Sequence, residues 1–165
     1  MDEWRAMKKP RHPGPGKVLG MTLIEVMIAL AIVGVLVSIA IPSYASYRDR
    51  IDRATAIKDV GVLQTLIADY RLEMGAYPVD LAAVRNGARL DPWGRPYVYV
   101  DLTIVNGNGK ARKDHKFNPI NSDFDLYSLG KDGVSQPQLT QKDSLDDIVR
   151  ASDGAYIGPA ADYSP

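Results

Sequence analysis

The chain has 165 residues, with 20 basic and 20 acidic side chains and no cysteine. The balanced charge indicates no partner by itself, and the lack of cysteine excludes disulfides and thiolate metal sites. The first 20 residues hold five basic and two acidic side chains, which leaves a net charge of −3 on the rest. That charge is not typical of nucleic-acid binders, so we expect no nucleic acid among the partners.

The segment after the basic leader is long and apolar enough to span a membrane. Between Met21 and Ile41 only Thr22, Glu25 and Ser38 are polar. As a helix this segment would be about 30 Å long, which matches the hydrocarbon core of a bilayer. The preceding basic residues favour an N-terminus that stays in the cytoplasm.

Two ordinary explanations of this apolar segment are open. A secretory signal peptide would be cut after Ala40, since Ser38 and Ala40 form a small-x-small site. A plain signal anchor would stay uncut, with Glu25 near the membrane edge by chance. The length of the segment and the acidic side chain inside it both disfavour a signal peptide.

Three residues at fixed spacing favour a third explanation. Gly20 ends the leader, Glu25 follows five residues later, and Pro42 closes the apolar segment. This arrangement resembles the type IV pilin-like family, which includes the pseudopilins of type II secretion. The resemblance implies that a prepilin peptidase cuts between Gly20 and Met21 and methylates the new N-terminus at Met21.

The same resemblance implies a role in assembly for Glu25. In a fibre of packed helices, Glu25 of one subunit would pair with the N-terminal ammonium on Met21 of a neighbour. An ionisable group inside a membrane is costly unless it is paired, which favours this role. A glutamate that only reaches up to the membrane surface is the open alternative.

Beyond Pro42, which we expect to kink the helix at the membrane exit, the helical pattern resumes. Apolar residues recur at spacings of three and four along one face: Ile57, Val60, Leu63, Ile67, Tyr70 and Met74. The pattern predicts one helix over about residues 22–74, whose amphipathic second half must pack against the rest of the chain. Gly75 is the predicted stop.

The rest of the chain is predicted to form a small, loop-rich domain. Its predicted elements are a short helix, a turn and two strands, at residues 82–86, 91–96, 97–105 and 125–129. We expect Trp93 to plug the core over the turn. Between the strands, Asn106–Gly109 is typical of a hairpin, and Lys110–Lys116 of a solvated basic tip that includes His115.

No catalytic motif is present. The chain has two histidines, one of them in the leader, and no phosphate-binding loop or nucleophile motif. We therefore expect the protein not to be an enzyme.

Two further stretches resemble the major pseudopilin of the type II secretion system. They are Asp91-Pro92-Trp93-Gly94 and the segment Tyr-Ser-Leu-Gly-Lys-Asp-Gly at 127–133. The resemblance is good over 20–100 and 123–135 and poor where the chain looks expanded, over 105–122 and 135–145. It implies an α+β, pilin-like fold, with a long N-terminal helix packed on a small antiparallel sheet and a loop-rich C-terminal region.

The family resemblance also implies a calcium site in the C-terminal loop. Calcium accepts six to eight oxygen ligands in tolerant geometry. The implied ligands are three carboxylates and two backbone carbonyls, from Asp132, Asp146, Asp147, Leu129 and Val134. Because the spacing is expanded, Asp143 is the alternative to Asp146. A solvated acidic loop without an ion is also open.

The resemblance implies a division of the chain into four parts. Residues 1–20 would be a cytoplasmic leader that is removed, and 21–42 the transmembrane and assembly helix. Residues 43–75 would continue this helix into the domain, and 76–165 would be the periplasmic globular domain.

The implied function is that of a structural subunit of the periplasmic pseudopilus of a type II secretion system, anchored by one span in the bacterial inner membrane. The implied partners are other copies of the chain, minor pseudopilins, an inner-membrane assembly platform and the prepilin peptidase. A type IV pilin or minor pilin for adhesion, motility or DNA uptake is the related alternative. A membrane-anchored enzyme or binding module with a pilin-like N-terminus belongs to another class and has no motif in its favour.

Overall fold

The computed structural model describes residues 20–104 and 110–164. Its longest element is helix α1, Leu23–Met74, which runs through Pro42. At its end Gly75 has a φ of +74°, and its N–H donates to the carbonyl of Arg71 at 2.9 Å. Glycine adopts this left-handed conformation without strain, so the predicted helix and its stop are confirmed. The chain divides after Ser43 into two compact units.

The second unit buries one face of α1. Ala56, Val60, Leu63 and Ile67 are completely buried, at the three- and four-residue spacing that the sequence predicts. The predicted end of this face is wrong, because Met74 is 65% exposed. It lies in the last turn, beyond the residues that the sheet covers.

A four-stranded antiparallel sheet packs on this helical face. Its strands are β1 (Val98–Asp101), β2 (Phe124–Ser128), β3 (Ile148–Ala151) and β4 (Tyr156–Pro159), and they are neighbours in chain order. The first two were predicted, although β1 is shorter than expected. The last two were not, because four-residue strands between turns leave too short an alternation to detect.

Both faces of the sheet are covered. Leu126 and Ile148 face the helix and belong to its core. Val149 and Ala151 lie in a second core, whose other buried residues are Ile120, Leu139 and Ala160. Neighbouring strand residues point to opposite faces, which separates the two cores. The second core places the expanded segments of the chain on the side of the sheet away from α1.

Short 3-10 helices complete the second unit: Leu81–Ala83, Lys142–Ser144, Ser152–Gly154 and Ala160–Asp162. The first replaces the short helix expected at 82–86. The ring of Trp93 packs against the core as predicted. The predicted hairpin at Asn106–Gly109 lies outside the described residues.

The prediction of a solvated basic tip at Lys110–Lys116 is wrong for part of that segment. Ala111, Arg112 and Asp114 are buried, with 3% of Arg112 exposed. His115 is exposed, as expected. The segment is therefore a structural part of the domain, and its arginine is available to other buried groups.

Candidate assembly segment and acidic C-terminal loop

The first turn of α1 is closed by a reciprocal contact between Thr22 and Glu25. The backbone N–H and the hydroxyl of Thr22 both donate to Glu25 Oε2 at 3.2 Å. In return the N–H of Glu25 donates to Thr22 Oγ1 at 3.3 Å. This is a capping box, which satisfies N–H groups that a helix start leaves free. The Thr-x-x-Glu spacing is its signal in the sequence.

Glu25 keeps one carboxylate oxygen outside this box. Only Oε2 accepts the hydrogen bonds from Thr22, and the side chain is exposed. Within the described residues, no cationic side chain lies at ion-pair distance from Glu25. The capping box therefore orients the carboxylate and leaves its charge without a cationic partner in this part of the chain.

The predicted cleavage bond lies just before the helix. Gly20 and Met21 are exposed and outside regular secondary structure. A Cβ atom added at Gly20 would have no other atom within 4 Å. The described structure thus leaves this bond accessible, and cleavage there stays a prediction.

The first part of α1 presents apolar side chains to every side. α1 is long and apolar enough to cross a membrane, and its most apolar stretch is not buried by any described residue. The large apolar side chains of this part have exposed fractions between 41% and 80%. They include Leu23, Ile24, Leu30, Leu36 and Ile39. Apolar surface in water is unfavourable by roughly 25 cal/mol per Å². This surface therefore requires lipid or other apolar helices around it.

The acidic loop after β2 turns on two glycines. Gly130 and Gly133 have φ values of +64° and +74°, and the N–H of Gly133 donates to the Leu129 carbonyl at 3.2 Å. A Cβ atom at Gly133 would lie 2.4 Å from the guanidinium of Arg95. The positive φ therefore favours glycine at this position, and an added Cβ would also require the Arg95 side chain to move.

Asp146 stabilises this turn by accepting hydrogen bonds from its backbone. Its Oδ2 accepts the backbone N–H groups of Lys131 at 2.7 Å and of Asp132 at 3.1 Å. Asp132 Oδ1 in turn accepts the N–H of Val134 at 2.8 Å. Two of the predicted calcium ligands are thus brought together, but both carboxylates already accept hydrogen bonds from the loop backbone.

The turn at residues 91–96 holds the same loop from its other side. Arg95 donates to the carbonyl of Gly130 at 2.9 Å, and Ser128 donates through its hydroxyl to Asp91 Oδ2 at 2.6 Å. The other oxygen of Asp91 accepts the N–H groups of Trp93 and Arg95 at 3.1 and 2.8 Å. This explains why the two stretches that carried the resemblance to pseudopilins occur together: they form one joint structure.

Asp147 is separate from this arrangement. It is completely buried, and its Oδ2 lies 2.5 Å from a guanidinium nitrogen of Arg112 and 2.5 Å from the Ser135 hydroxyl. Burial raises the pKa of Asp147 to about 6, and the arginine and the serine oppose this rise. Arg112 and Ser135 were not predicted as site residues from the sequence, since neither belongs to a motif and both lie in the poorly matched segments or at their edge.

The donor set as it stands does not fit a calcium ion. Arg112 contacts one oxygen, Oδ2, of Asp147, which was an implied ligand, while the buried Oδ1 has no hydrogen-bond partner among the described residues. The alternative ligand Asp143 lies in the 3-10 helix Lys142–Ser144. No group of three or more acidic or histidine side chains suited to a metal is found among residues 20–104 and 110–164. Calcium binding by this loop stays a prediction that experiment must decide.

Comparison with known families first identifies the N-terminal segment. Residues 16–41 match the family described as the prokaryotic N-terminal methylation motif. The matched range includes Gly20, Glu25 and the apolar start of α1. Together with the long helix on a small antiparallel sheet, this match defines a membrane-anchored, pilin-like protein.

Secretion proteins match most of the chain. The type II secretion system core protein G of Vibrio cholerae is 30% identical over 157 residues, covering 83% of this chain and 93% of that protein. The one from Escherichia coli K12 is 31% identical over 138 residues, covering 71% and 84%. The chain belongs to the type II secretion system core protein G family, the major pseudopilins.

A fimbrial protein matches a smaller part. Fimbrial protein EcpC of Eikenella corrodens is 34% identical over 90 residues, which cover 54% of this chain and 56% of that protein. No solved structure matches the chain. The longer matches therefore favour the secretion family over the fimbrial one.

Proposed function

We propose that this chain, after removal of its leader, is the structural subunit that polymerises through α1 into the periplasmic pseudopilus of a type II secretion system. The observation that carries the proposal is the apolar first part of α1, which no described residue covers. Its relatives named as core protein G cover most of the chain. A type IV pilin is not favoured, because the fimbrial match covers about half of it.

The arrangement at the membrane follows from the same segment. A single span would place the basic N-terminus in the cytoplasm and the second unit, from Tyr44 on, in the periplasm. The partners would be further copies of the chain, minor pseudopilins, an inner-membrane assembly platform and the prepilin peptidase. The role is mechanical, and we assign no catalytic step to its residues.

Glu25 would set the register between subunits. Cleavage between Gly20 and Met21 creates an ammonium on Met21, and N-methylation preserves its positive charge. The carboxylate of Glu25 in a neighbouring subunit would neutralise it, an attraction that is stronger in a low dielectric than in water. The capping box supports this role, because it holds Oε2 on Thr22 and leaves Oε1 without a hydrogen-bond partner among the described residues.

Processing is tested by mass spectrometry of the membrane form. We expect a mature chain that begins at Met21 with one added methyl group. Gly20→Val should block cleavage, whereas Gly34→Val should not. Neither glycine has an atom within 4 Å of an added Cβ, so the two variants are matched. A mature chain that begins at Ile41 would instead establish a secretory signal peptide and contradict the proposal.

The fibre's role is tested in the source bacterium by deleting the gene and restoring it. We expect the deletion to abolish export of folded proteins across the outer membrane and to leave surface motility and DNA uptake unchanged. Loss of motility or DNA uptake with normal export would favour the type IV pilin instead.

A further inference from the structure

The two segments that are poorly matched to pseudopilins pack on each other. Lys113 pairs with both Pro119 and Gln138 as isolated bridges. Its N–H donates to the Pro137 carbonyl at 2.8 Å, and its carbonyl accepts the N–H of Leu139 at 2.9 Å. Residues 110–122 and 135–145 therefore form one structural layer, although they lie on either side of β2 in the chain.

This layer buries the side chain of Arg112 against Asp147. The exposed fractions of the two side chains are 3% and 0%, and the charged atoms are 2.5 Å apart. The guanidinium also donates to the hydroxyl of Ser135 and lies 4.4 Å from the centre of the Tyr127 ring. The backbone N–H of Arg112 donates to buried Asp125 at 2.6 Å, which fixes the start of its side chain.

We propose that Arg112 is the permanent cation of Asp147, and that at this one carboxylate its guanidinium takes the role which the family resemblance gives to calcium. A buried carboxylate requires a counter-charge, and Arg112 supplies it at Oδ2 of Asp147, whereas Oδ1 has no hydrogen-bond partner among the described residues. A divalent ion on the same carboxylate would be repelled by the guanidinium. The expanded segment that contains Arg112 therefore supplies the cation as one of its own side chains.

The other carboxylates of the loop are consistent with this assignment. Asp146 accepts two backbone N–H groups and Asp132 accepts one, so both are satisfied by the loop itself. Arginine suits a permanent role because its charge persists at every relevant pH and its plane stacks on aromatic rings. An attached cation also cannot dissociate, so the stability of the loop would not depend on the concentration of a free ion.

The first arm of the test measures the response to calcium. The full chain in detergent micelles is melted with chelator or with millimolar calcium chloride, and its metal content is measured after purification without chelator. We expect the same melting temperature in both buffers and substoichiometric calcium. A wild-type chain that calcium stabilises, with the gain lost in Asp132→Ala, would overturn the proposal and restore the calcium site.

The second arm measures the pair itself. Arg112→Met and Asp147→Leu should each lower the melting temperature strongly, because each leaves one buried charge unpaired. The double variant should melt above both single variants, since it removes both charges together. The exposed Lys116→Met removes the same charge four residues away and should have little effect. Additive losses in the double variant, or a harmless Arg112→Met, would overturn the proposal. This arm measures folding alone, so its outcome is independent of pseudopilus assembly.

Discussion

Glu25 near the N-terminus and Asp147 near the C-terminus differ in whether they have a cationic partner. Glu25, at the start of an exposed apolar helix, is oriented by Thr22 but has no cationic partner among the described residues. Asp147, inside the domain, is buried on Arg112. The first charge is available to another subunit, and the second is neutralised within its own fold.

This contrast separates assembly from stability. Changes at the N-terminal end should affect the fibre and leave the fold of the domain intact. Changes at the buried pairs should destabilise the domain before any effect on assembly. Four predictions test this separation.

The largest effect is expected at Glu25. Glutamine at this position still accepts hydrogen bonds in a capping box but carries no charge. Glu25→Gln should therefore keep the melting temperature of wild type and almost abolish assembly, measured as the yield of fibres from membranes. Thr22→Ala is the matched control, because it removes the hydroxyl of the box and keeps the charge. If Glu25→Gln assembles normally and Thr22→Ala does not, the residue acts as a cap and not as a counter-charge.

The next effect concerns a second buried arginine. Arg150 makes two bonds of 2.7 Å to the carboxylate of Asp123 and lies 3.9 Å over the ring of Phe124. Arg150→Leu should lower the free energy of unfolding by about 3 kcal/mol, because it breaks a largely buried pair. Denaturant titration measures this, with exposed Arg85→Leu as the control. Equal losses in the two variants would show that burial does not increase the contribution of the Arg150–Asp123 pair to the free energy of unfolding.

A smaller effect is expected from the glycines of the two turns. Gly133 and Gly75 have the same φ of +74°, but only at Gly133 would an added Cβ meet an atom, the Arg95 guanidinium at 2.4 Å. Gly75→Ala should cost about 1 kcal/mol for the backbone conformation alone. Gly133→Ala should cost about 1 kcal/mol more, because the Arg95 side chain must move and lose its hydrogen bond to the Gly130 carbonyl. Identical melting temperatures for the two variants would show that the contact of Arg95 with the loop does not contribute to stability.

The smallest effect is a pH dependence of the Arg112 pair. The pKa of Asp147 is raised to about 6, above its unfolded value, so protonation of this carboxyl stabilises the fold as the pH falls from about 7 towards 4. Without the guanidinium, which opposes this rise, the pKa of Asp147 should rise further. Arg112→Gln should therefore lose more stability relative to wild type at pH 8 than at pH 5. A loss that is independent of pH would mean that the carboxylate is not the group affected.

Local pattern in the sequence determined the long helix, its stop at Gly75, the apolar segment and the residues of the processing motif. These features follow from periodicity, turn preference and short fixed spacings, which neighbouring residues encode. The contact of Thr22 with Glu25 belongs to the same class and was also available from the sequence. The turn at 91–96 was predicted for the same reason, whereas the loop at 127–133 was recognised by its resemblance to the pseudopilins.

Only the tertiary structure decided what the charged residues of the domain do. Arg112 stands in a run of basic residues that is typical of a solvated tip, yet its partner Asp147 lies 35 residues further along the chain. Likewise Arg95 reaches the carbonyl of Gly130, also 35 residues away. The residues next to a side chain in the sequence do not indicate such a distant partner, because burial depends on which segments the sheet and the second core bring together. Local sequence therefore determined helix α1, whereas tertiary packing determined that Arg112 is the cation paired with Asp147.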